Sequence, residues 1–509
     1  MNAIPASTPI SRLLVGFASE SGNARALAQR LGADLQPHAP QVLPFNDIDV
    51  ASLGHGDVLL AISSSFGDGE PPANGEQFFE TLRQTPALPG LRYAVFGLGD
   101  TGYPRFCGFT KALDAALSER SAQPLLHRVD ADLGYEQFYQ QWRPVLGQVL
   151  GGDPHAGQDL RLQVTAYGEG NAFAAPILER RRLNSSEPAA WHLQLDITGS
   201  GMAYRAGDTL HVVPENDPAL LQALATWYGD GNAASALADR ELRLLGKSVL
   251  RDIARLGGSE ELKGLLKISR KRELDAYLHG LDLLDVLQDH ATPASVPLDR
   301  LCELLSPRLP RAYSIASHPC DDRLSLCVRE VRYTLRGRER VGTATGSLLH
   351  GGGSARIYCR SNPGFHLPDG GDAPLLLVGT GTGIAPLMGL MQELQATGSQ
   401  REVHLVFGEK HSAHDFLYRE QLLDWQSRGV LAGLHTAFSR DGAEKVYVQH
   451  VLQQRAPQVQ DVLARGGHLY LCGNKGHLEG AVRGAIDAIG GAGHWDALHG
   501  QGRTHCELY

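Results

Sequence analysis

Residues 375–394, LLLVGTGTGIAPLMGLMQEL, join an apolar run to a glycine-rich turn and a helical pattern. The apolar run predicts a buried strand, and the stretch after Pro386 has the spacing of an amphipathic helix. A proline in the first turn suits a helix, and the free N–H groups there form an anion site. The G-x-G-x-x-G pattern is absent, because Pro386 stands where a standard helix is already running. A plain strand-to-helix turn leaves Gly379, Gly381 and Gly383 unexplained, so we predict an anion-binding loop.

Strand and helix patterns alternate from about residue 372 to the end, and also from 13 to 150. Such alternation predicts parallel, doubly wound sheets. Between these regions lie strand patterns and a leucine-rich helical stretch. We therefore predict an α/β multidomain protein. Its predicted parts are a first domain at 1–152, a linker at 153–160, a middle domain at 161–368 with a helical insert at 215–306, and a last domain at 369–509.

Composition limits the function classes. The net charge of −9 disfavours a nucleic-acid or anionic-membrane surface. No apolar run approaches the roughly 18 residues of a membrane span, and the start lacks the pattern of a signal peptide. The seven cysteines are scattered without a CxxC pair, which argues against a disulfide framework or a zinc site. We expect a soluble cytoplasmic protein without a bound metal.

Three loops are expected at the carboxyl edge of the first sheet, where open parallel sheets bind ligands. The first, SESGNA at 19–24, offers hydroxyls and helix N-terminal amides to a phosphate. Capping of the helix by Ser21 or Asn23 is the alternative. The other two, at 63–72 and 97–108, carry glycines and offer an aromatic ring at the same edge, Phe66 in the first and Tyr103 in the second. Two rings beside a phosphate loop favour a flat heterocycle, although each ring alone is more simply a loop anchor.

Two segments of the middle domain have features of a second phosphate-containing ligand. In PRLPRAYSIAS, Arg311 suits a diphosphate oxygen, Tyr313 suits stacking, and Ser314 suits a polar ring edge. GTATGSLL, at 342–349, again places glycine and threonine at the start of a helix. The alternative is an ordinary strand start that is flanked by prolines.

FSRDGAEKVYVQH, residues 438–450, supplies a hydroxyl, a guanidinium and an ammonium through Ser439, Arg440 and Lys445. These groups suit a ribose 2′-phosphate, and Tyr447 suits stacking on adenine. A solvated basic turn is the alternative.

The loops of the first domain, together with RVDADLGYEQFYQQWRP at 128–144, resemble the flavodoxin-like domain of diflavin reductases. The resemblance covers nearly the whole chain and is closest to the sulfite reductase flavoprotein type. It implies a flavodoxin-like sheet that binds FMN, in which Tyr103 is the stacking tyrosine. Phe66 departs from the pattern, because relatives have tyrosine nearby or glutamine there, so we expect a different flavin potential. The implied FMN-binding residues are Ser19, Glu20, Ser21, Gly22, Asn23, Ala24, Ser64, Ser65, Phe66, Gly67, Leu98, Gly99, Asp100, Tyr103, Phe106 and Cys107.

The RxYS pattern and the loop that follows it resemble the FAD site of the ferredoxin-reductase superfamily. The resemblance implies an FAD-binding β-barrel whose helical insert spaces the two flavins. The implied FAD-binding residues are Arg311, Ala312, Tyr313, Ser314, Cys327, Val328, Tyr333, Gly342, Thr343, Ala344, Thr345 and Tyr509.

The GTGTGIAP run and the segment SRDxxxKVYVQ resemble the NADPH-binding sequences of the same superfamily. They imply an α/β NADP-binding domain and favour NADPH over NADH. The implied dinucleotide-binding residues are Gly379, Gly381, Thr382, Gly383, Ser439, Arg440, Lys445, Tyr447 and Gln449.

The resemblance also implies a catalytic group, made of Cys472 beside the nicotinamide, Ser314 and a carboxylate near the C-terminus. Glu507 stands where the family has aspartate. The family sequence C-G-D-A reads C-G-N-K here, and Ala481 replaces a further aspartate. The final residue, Tyr509, is expected to shield the FAD ring and to move aside for hydride transfer.

The implied activity is that of an NADPH-dependent flavoprotein reductase, which passes electrons from NADPH to FAD to FMN and on to an external metalloprotein. The expected acceptor is the haemoprotein of sulfite reductase, or another haem or iron–sulfur protein. We expect a monomer, because only about a dozen residues precede the first strand. A flavin-binding electron carrier without NADPH turnover is the alternative from another class.

Overall fold

The computed structural model describes residues 9–66, 69–100, 105–132, 135–153, 155–164, 167–368 and 370–509. They form two compact units. The first contains the described residues up to 168, with 200–204 and 359–361. The second contains 169–199, 205–358 and the described residues of 362–509.

A parallel sheet forms the centre of the first unit, in the order β2-β1-β3-β4-β5, and β6 also pairs with β4. Its strands are β1 (Arg12–Ala18), β2 (Gln41–Pro44), β3 (Asp57–Ser64), β4 (Arg92–Leu98), β5 (Gln123–Pro124) and β6 (Val129–Ala131). Its helices are α1 (Asn23–Asp34), α2 (Glu76–Gln84), α3 (Gly108–Glu119) and α4 (Tyr135–Leu150). Successive residues of β1 contribute to two different cores, Leu13 and Val15 to one and Leu14 to the other. Both faces of the sheet are therefore covered, which explains the uninterrupted apolar strands.

A six-stranded sheet forms the barrel of the second unit, in the order β10-β9-β14-β7-β8-β11. The strands are β7 (Phe173–Arg182), β8 (Ala190–Asp196), β9 (Thr209–Val213), β10 (Arg311–Ser314), β11 (Arg323–Arg329) and β14 (Ser354–Arg360), of which the last two residues of β14 are counted with the first unit. The two edge strands meet just beyond β10, where Ile315 forms an antiparallel bridge with Leu326. The sheet therefore closes on itself.

Helices fill the chain between β9 and β10. They are α5 (Pro218–Tyr228), α6 (Asn232–Leu237), α7 (Lys247–Leu256), α8 (Glu260–Leu265), α9 (Lys271–Leu278), α10 (Leu283–His290) and α11 (Leu298–Leu304). Their leucines form a core of their own. A hairpin of β12 (Arg332–Leu335) and β13 (Arg338–Val341) is tied to this insert by Arg340, which pairs with Asp282 and Asp285. All three side chains are buried, and α12 (Thr343–His350) follows the hairpin.

The rest of the second unit is a parallel sheet in the order β17-β16-β15-β18-β19. The strands are β15 (Leu375–Thr380), β16 (Val403–Glu409), β17 (Gly433–Phe438), β18 (His468–Gly473) and β19 (Thr504–Leu508). The helices are α13 (Ile384–Ala396), α14 (Ser412–Asp415), α15 (Arg419–Ser427), α16 (Val448–Gln454), α17 (Ala456–Ala464), α18 (Lys475–Gly490) and α19 (His494–Gly500). The predicted fold class is confirmed. None of the helices in the described part of the chain is long and apolar enough to cross a membrane.

Candidate functional site

Three residues predicted at the hydride-transfer site lie together in the second unit. Cys472 in β18 is the register partner of Glu507 in the neighbouring strand β19. Ser314 ends β10, and its Oγ donates a hydrogen bond to Glu507 Oε1. Burial raises the pKa of the Cys472 thiol well above its usual value, and the charge of Glu507 raises it further. Cys472 is therefore held as a neutral thiol.

Glu507 has a buried oxygen that can accept another hydrogen bond. Within the described residues, its Oε2 has no donor. The pKa of Glu507 is raised to about 7, mainly by burial. The hydrogen bond from Ser314 lowers this pKa, and the charge of Asp208 raises it. A buried acceptor without a donor is costly. The carboxamide N–H of nicotinamide is a suitable donor, so this site fits the dinucleotide.

The C-terminal tail is anchored at several points. The N–H of Tyr509 donates to the Gly473 carbonyl over 3.2 Å, and the Tyr509 carbonyl accepts from the N–H of Lys475 over 2.9 Å. Its hydroxyl lies 3.0 Å from Thr382 Oγ1 in the glycine loop. The side chain is nevertheless 59% exposed. The ring is thus held in place while much of its surface stays accessible to a flat ligand.

The glycine loop needs glycine for two different reasons. A Cβ on Gly383 would lie 2.3 Å from the Cys472 carbonyl oxygen, so this position allows the loop to pack on β18. Gly381 has a φ of +57°, in the left-handed region that favours glycine. The loop leads into α13, whose first turn has no side-chain cap. Its N–H groups can therefore serve an anion.

The segment predicted to hold the 2′-phosphate follows β17 at the same edge of the sheet. Ser439 donates from its N–H to the Glu409 carbonyl over 2.9 Å, and Arg440 donates from its N–H to the Lys410 carbonyl over 2.8 Å. The side chains of Arg440 and Lys445 are exposed, and neither has a carboxylate within 4.0 Å among the described residues. Such free cations fit a phosphate.

Tyr447 and Gln449 continue this segment. Tyr447 is exposed, and its ring packs against His450 with the ring centroids 5.7 Å apart. Gln449 lies partly buried in α16. The exposed face of Tyr447 has the geometry that a stacked base needs.

Arg311 is held in position by a carboxylate from the helical insert. Glu241 Oε2 lies 3.1 Å from Arg311 Nη2, and Arg311 Nη1 donates to the Leu309 carbonyl over 2.6 Å. Burial alone would raise the pKa of Glu241. Hydrogen bonds from the N–H groups of Leu244 and Arg243, together with the charge and hydrogen bond of Arg311, outweigh this effect, so the pKa of Glu241 lies below its usual value. Glu241 is therefore ionised, and it fixes the guanidinium at the start of β10.

The other residues predicted to bind FAD occupy three places. Cys327 and Val328 are buried in β11. Tyr313 is partly buried, which raises the pKa of its hydroxyl to about 12, whereas Ala312 is exposed. Tyr333 lies against the helical insert, where its hydroxyl donates to the Gly280 carbonyl over 2.8 Å.

The loop before α12 is closely packed. A Cβ on Gly342 would lie 2.7 Å from Thr345 Oγ1, and Thr345 and Ala344 are buried. Thr343 begins the helix, whose first turn has no side-chain cap. The first-turn amides therefore remain available to a diphosphate.

In the first unit, the structure contradicts the capping alternative for residues 19–24. Gly22 is the N-cap of α1, and no side chain caps this helix. Ser19 instead braces the loop, because its Oγ accepts from the Gly22 N–H over 2.9 Å and its own N–H donates to Asn74 over 3.0 Å. Glu20 accepts from the Ala73 N–H over 2.8 Å. The first amides of α1 are thus left for a phosphate, with exposed Ser21 and Asn23 beside buried Ala24.

The two ring-bearing loops contact each other through glycines. A Cβ on Gly108 would lie 2.8 Å from the Gly69 Cα. Ser65 Oγ accepts from the Phe109 N–H over 3.1 Å, and Ser64 ends β3. Phe66 is 56% exposed, as a ring that meets a ligand would be. Gly67 and Tyr103 lie outside the described residues.

Most of the described side chains in the third loop are buried. Leu98, Phe106 and Cys107 are buried, and a Cβ on Gly99 would lie 2.7 Å from both Phe106 and Cys107. Asp100 is partly buried and has a partner. The side chains of Leu98, Phe106 and Cys107 therefore support the loop, and contact between these three residues and FMN would come from their main chain.

Sequence reasoning missed Asn74 and Glu241, which position Ser19 and Arg311. No local pattern marks either one, because each acts on a residue at least 55 positions away. Two acidic side chains of the first unit do not contribute to its surface charge. Asp130 and Asp132 are buried, and Asp130 pairs with Arg128.

Comparison with known proteins matches three domain families. Residues 15–142 match flavodoxin, residues 167–243 the FAD binding domain, and residues 377–483 the oxidoreductase NAD-binding domain. The first sheet thus binds FMN, the barrel FAD and the last sheet NADPH.

Relatives align along most of the chain, and each is named sulfite reductase [NADPH] flavoprotein alpha-component. The protein from Bacillus subtilis is 34% identical over 93% of this chain and 84% of its own length. The Yersinia enterocolitica protein is 32% identical over 96% of this chain and 87% of its own length. The Neisseria meningitidis serogroup C protein is 31% identical over 97% of this chain and 87% of its own length. The chain therefore belongs to the sulfite reductase flavoprotein family of diflavin reductases, and it is an NADPH-dependent flavoprotein reductase.

Proposed function

We propose that this reductase supplies electrons to the haemoprotein of a sulfite reductase, which converts sulfite to sulfide. The observation that supports the proposal is similarity over more than nine-tenths of the chain to proteins of that name. The conversion takes six electrons, so three NADPH molecules are consumed for each sulfite.

The bound flavins would supply the redox chemistry, namely acceptance of a hydride from NADPH at the FAD site and release of single electrons from the FMN site. The residues of this chain hold and orient these groups. Glu507 and Ser314 would bind the carboxamide and balance positive charge that develops on the nicotinamide ring. Cys472, the buried register partner of Glu507, would remain a neutral thiol beside them. Tyr509 would keep water and nicotinamide from the flavin face until the tail moves.

Electron delivery would depend on charge. Residues 1–150 carry fifteen acidic and ten basic side chains. Glu70 is exposed beside Phe66 at the edge proposed for FMN, whereas Asp130 and Asp132 are buried and take no part. We propose that the acceptor presents a basic patch and that salt slows the encounter. A delivery rate that is insensitive to salt would instead mean that the acidic face is merely solvated.

The decisive experiment combines the purified flavoprotein with the haemoprotein from the same cells, NADPH and sulfite. Formation of one sulfide for three NADPH supports the proposal. Rapid anaerobic bleaching of the flavins without sulfide formation points to another haem or iron–sulfur acceptor. Flavins that NADPH does not bleach at all would mean an electron carrier without turnover.

The domain boundaries, the oligomeric state, the location and the ligand-binding residues are part of the same proposal. We propose the domain boundaries 1–152, 161–368 and 369–509, a monomer in the absence of the acceptor, and a cytoplasmic location. The predicted ligand-binding residues are proposed with the roles given above. Sedimentation of the purified chain tests the oligomeric state, and cell fractionation tests the location.

A further inference from the structure

An ion pair joins the barrel to the NADP-binding sheet in the second unit. Arg329 ends β11 and Glu409 ends β16, and Arg329 Nη2 donates to Glu409 Oε1. Arg329 Nη1 also donates to the Pro188 carbonyl over 3.0 Å. The pair is unequally accessible, since the Arg329 side chain is 21% exposed and that of Glu409 only 5%. The guanidinium therefore remains reachable, while the carboxylate is covered.

The pair lies directly against the glycine loop. A Cβ on Gly381 would be 3.5 Å from Glu409 Oε1 and 3.6 Å from Arg329 Nη2. The loop amides at the start of α13 form the anion site of this sheet. An arginine that is fixed so close to them adds positive charge to that site.

The hydrogen bonds leave Arg329 with donors to spare. A guanidinium has five N–H groups, and the two contacts use one each. Glu409 is more fully engaged, because its Oε2 accepts from the Lys410 N–H over 2.8 Å. With the ammonium of Lys410 included, these three side chains carry a net positive charge.

The position of the pair matches one particular part of the dinucleotide. The 2′-phosphate segment follows β17, and the hydride-transfer group lies on β18 and β19. Strands β16 and β15 run between them in the sheet. The diphosphate joins the two ends of NADPH, so it must cross the sheet at β16 and β15, where Arg329 is held.

We propose that Arg329 binds the diphosphate of NADPH and that Glu409 is the positioning residue that orients its guanidinium. The proposal builds on dinucleotide binding at the glycine loop. The rival explanation is a purely structural link, in which Arg329 only neutralises a covered carboxylate. Removing one member of such a buried pair lowers folding stability, while replacing both members can leave the stability nearly unchanged.

The experiment titrates the full-length protein, with both flavins bound, with NADP⁺ and with adenosine 2′-monophosphate. The second ligand carries the 2′-phosphate but no diphosphate. Arg329→Met should weaken NADP⁺ by about 10-fold or more, as expected for a lost charge-assisted bond. Adenosine 2′-monophosphate should change by less than about twofold. Arg329→Lys should weaken NADP⁺ by an intermediate amount, because it retains the charge but not the planar fork.

The double variant Arg329→Met/Glu409→Gln removes the uncompensated carboxylate and separates the two explanations. If Arg329 binds the diphosphate, NADP⁺ affinity stays low in the double variant. Recovery of that affinity would overturn the proposal, as would an equal loss for both ligands or no loss in Arg329→Met. The salt dependence of NADP⁺ binding should also weaken in Arg329→Met, since one cation fewer meets the ligand.

Arg308→Met is the matched control. Arg308 likewise donates to a proline carbonyl, that of Pro214, over 2.8 Å and pairs with a carboxylate, that of Asp239. These contacts lie away from the glycine loop, so NADP⁺ affinity should remain within about twofold of the parent protein. FAD content and thermal unfolding of every variant report whether the fold is preserved.

Discussion

Ser314 and Glu507 are 193 residues apart in sequence, yet their side chains share a hydrogen bond. Ser314 ends a barrel strand, whereas Glu507 lies in the last strand of the parallel sheet. The proposed hydride-transfer site therefore depends on the contact between these two parts of the second unit. Changes at this contact should affect chemistry more than dinucleotide binding.

Glu507→Ala is expected to slow reduction of FAD by NADPH by about 100-fold, the usual cost of a missing group that stabilises developing charge. NADP⁺ affinity should change little, because the sites proposed for the diphosphate and the 2′-phosphate lie elsewhere. Stopped-flow absorbance at the flavin band measures the rate, and titration measures the affinity. Glu420→Ala, at an exposed glutamate of α15, is the control. A large loss of affinity with an unchanged rate would contradict the assigned role.

The pKa of Glu507 also predicts how stability depends on pH. Its pKa is about 7 in the folded protein against 4.5 for the ordinary group. Between these values the folded state holds a proton that the unfolded state has lost, so stability falls as pH rises from about 4.5 to 7. Glu507→Gln cannot ionise and should lose less stability over this interval. Thermal unfolding of the flavin-free proteins at several pH values tests this, and parallel curves for parent and variant would refute it.

Glu241→Gln tests how the helical insert supports FAD binding. The amide can still accept hydrogen bonds but no longer pairs its charge with Arg311, so FAD should bind about 10-fold more weakly, within the usual range for such bonds. The effect is measured by FAD retention during dialysis and by titration of the stripped protein. Glu261→Gln, at an exposed residue of the same insert, should retain FAD like the parent. Equal retention in Glu241→Gln would show that Arg311 needs no partner.

Arg440→Ala tests cofactor selectivity. Loss of the proposed bond to the 2′-phosphate should weaken NADPH binding by about 10- to 150-fold, from about 1.5–3 kcal/mol for a charge-assisted contact. NADH lacks this phosphate and should be nearly unaffected. Steady-state kinetics with both dinucleotides provides the measurement. Arg428→Ala removes an exposed arginine that pairs with Asp424, and it should leave the selectivity intact. Equal losses for NADPH and NADH would refute the assignment of Arg440.

Sequence patterns predicted the parts of this molecule that depend on local order. The run at 375–394 becomes β15, a turn and α13, and the apolar strands of both parallel sheets are buried. The meeting of Ser314, Cys472 and Glu507 was implied only by family resemblance. It depends on strand register and on closure of the barrel, which no local pattern contains.

Such patterns do not predict which side chains pair when they are far apart in the sequence. No local pattern marks Glu241 or Glu409, yet each is covered and holds an arginine at a proposed phosphate site. Asp130 and Asp132 show the same limit, because their neighbouring sequence does not predict the burial that removes them from the acidic face. In each case the tertiary fold, and not the neighbouring sequence, decides whether a charge meets solvent, a ligand or another side chain.

The final residue offers the last prediction. Tyr509 is anchored through its main chain to Gly473 and Lys475, and its hydroxyl contacts Thr382. Stacking on a flavin adds about 0.5–1.5 kcal/mol, which is small enough for nicotinamide to displace the ring. Deletion of Tyr509 should therefore raise activity with NADH relative to NADPH and slow the release of NADP⁺. Tyr509→Phe keeps the ring and loses only the hydroxyl contact, so its cofactor ratio should stay close to that of the parent. Stopped-flow reduction with both dinucleotides measures these effects, and an unchanged ratio and flavin spectrum after deletion would mean that Tyr509 does not control access to the flavin.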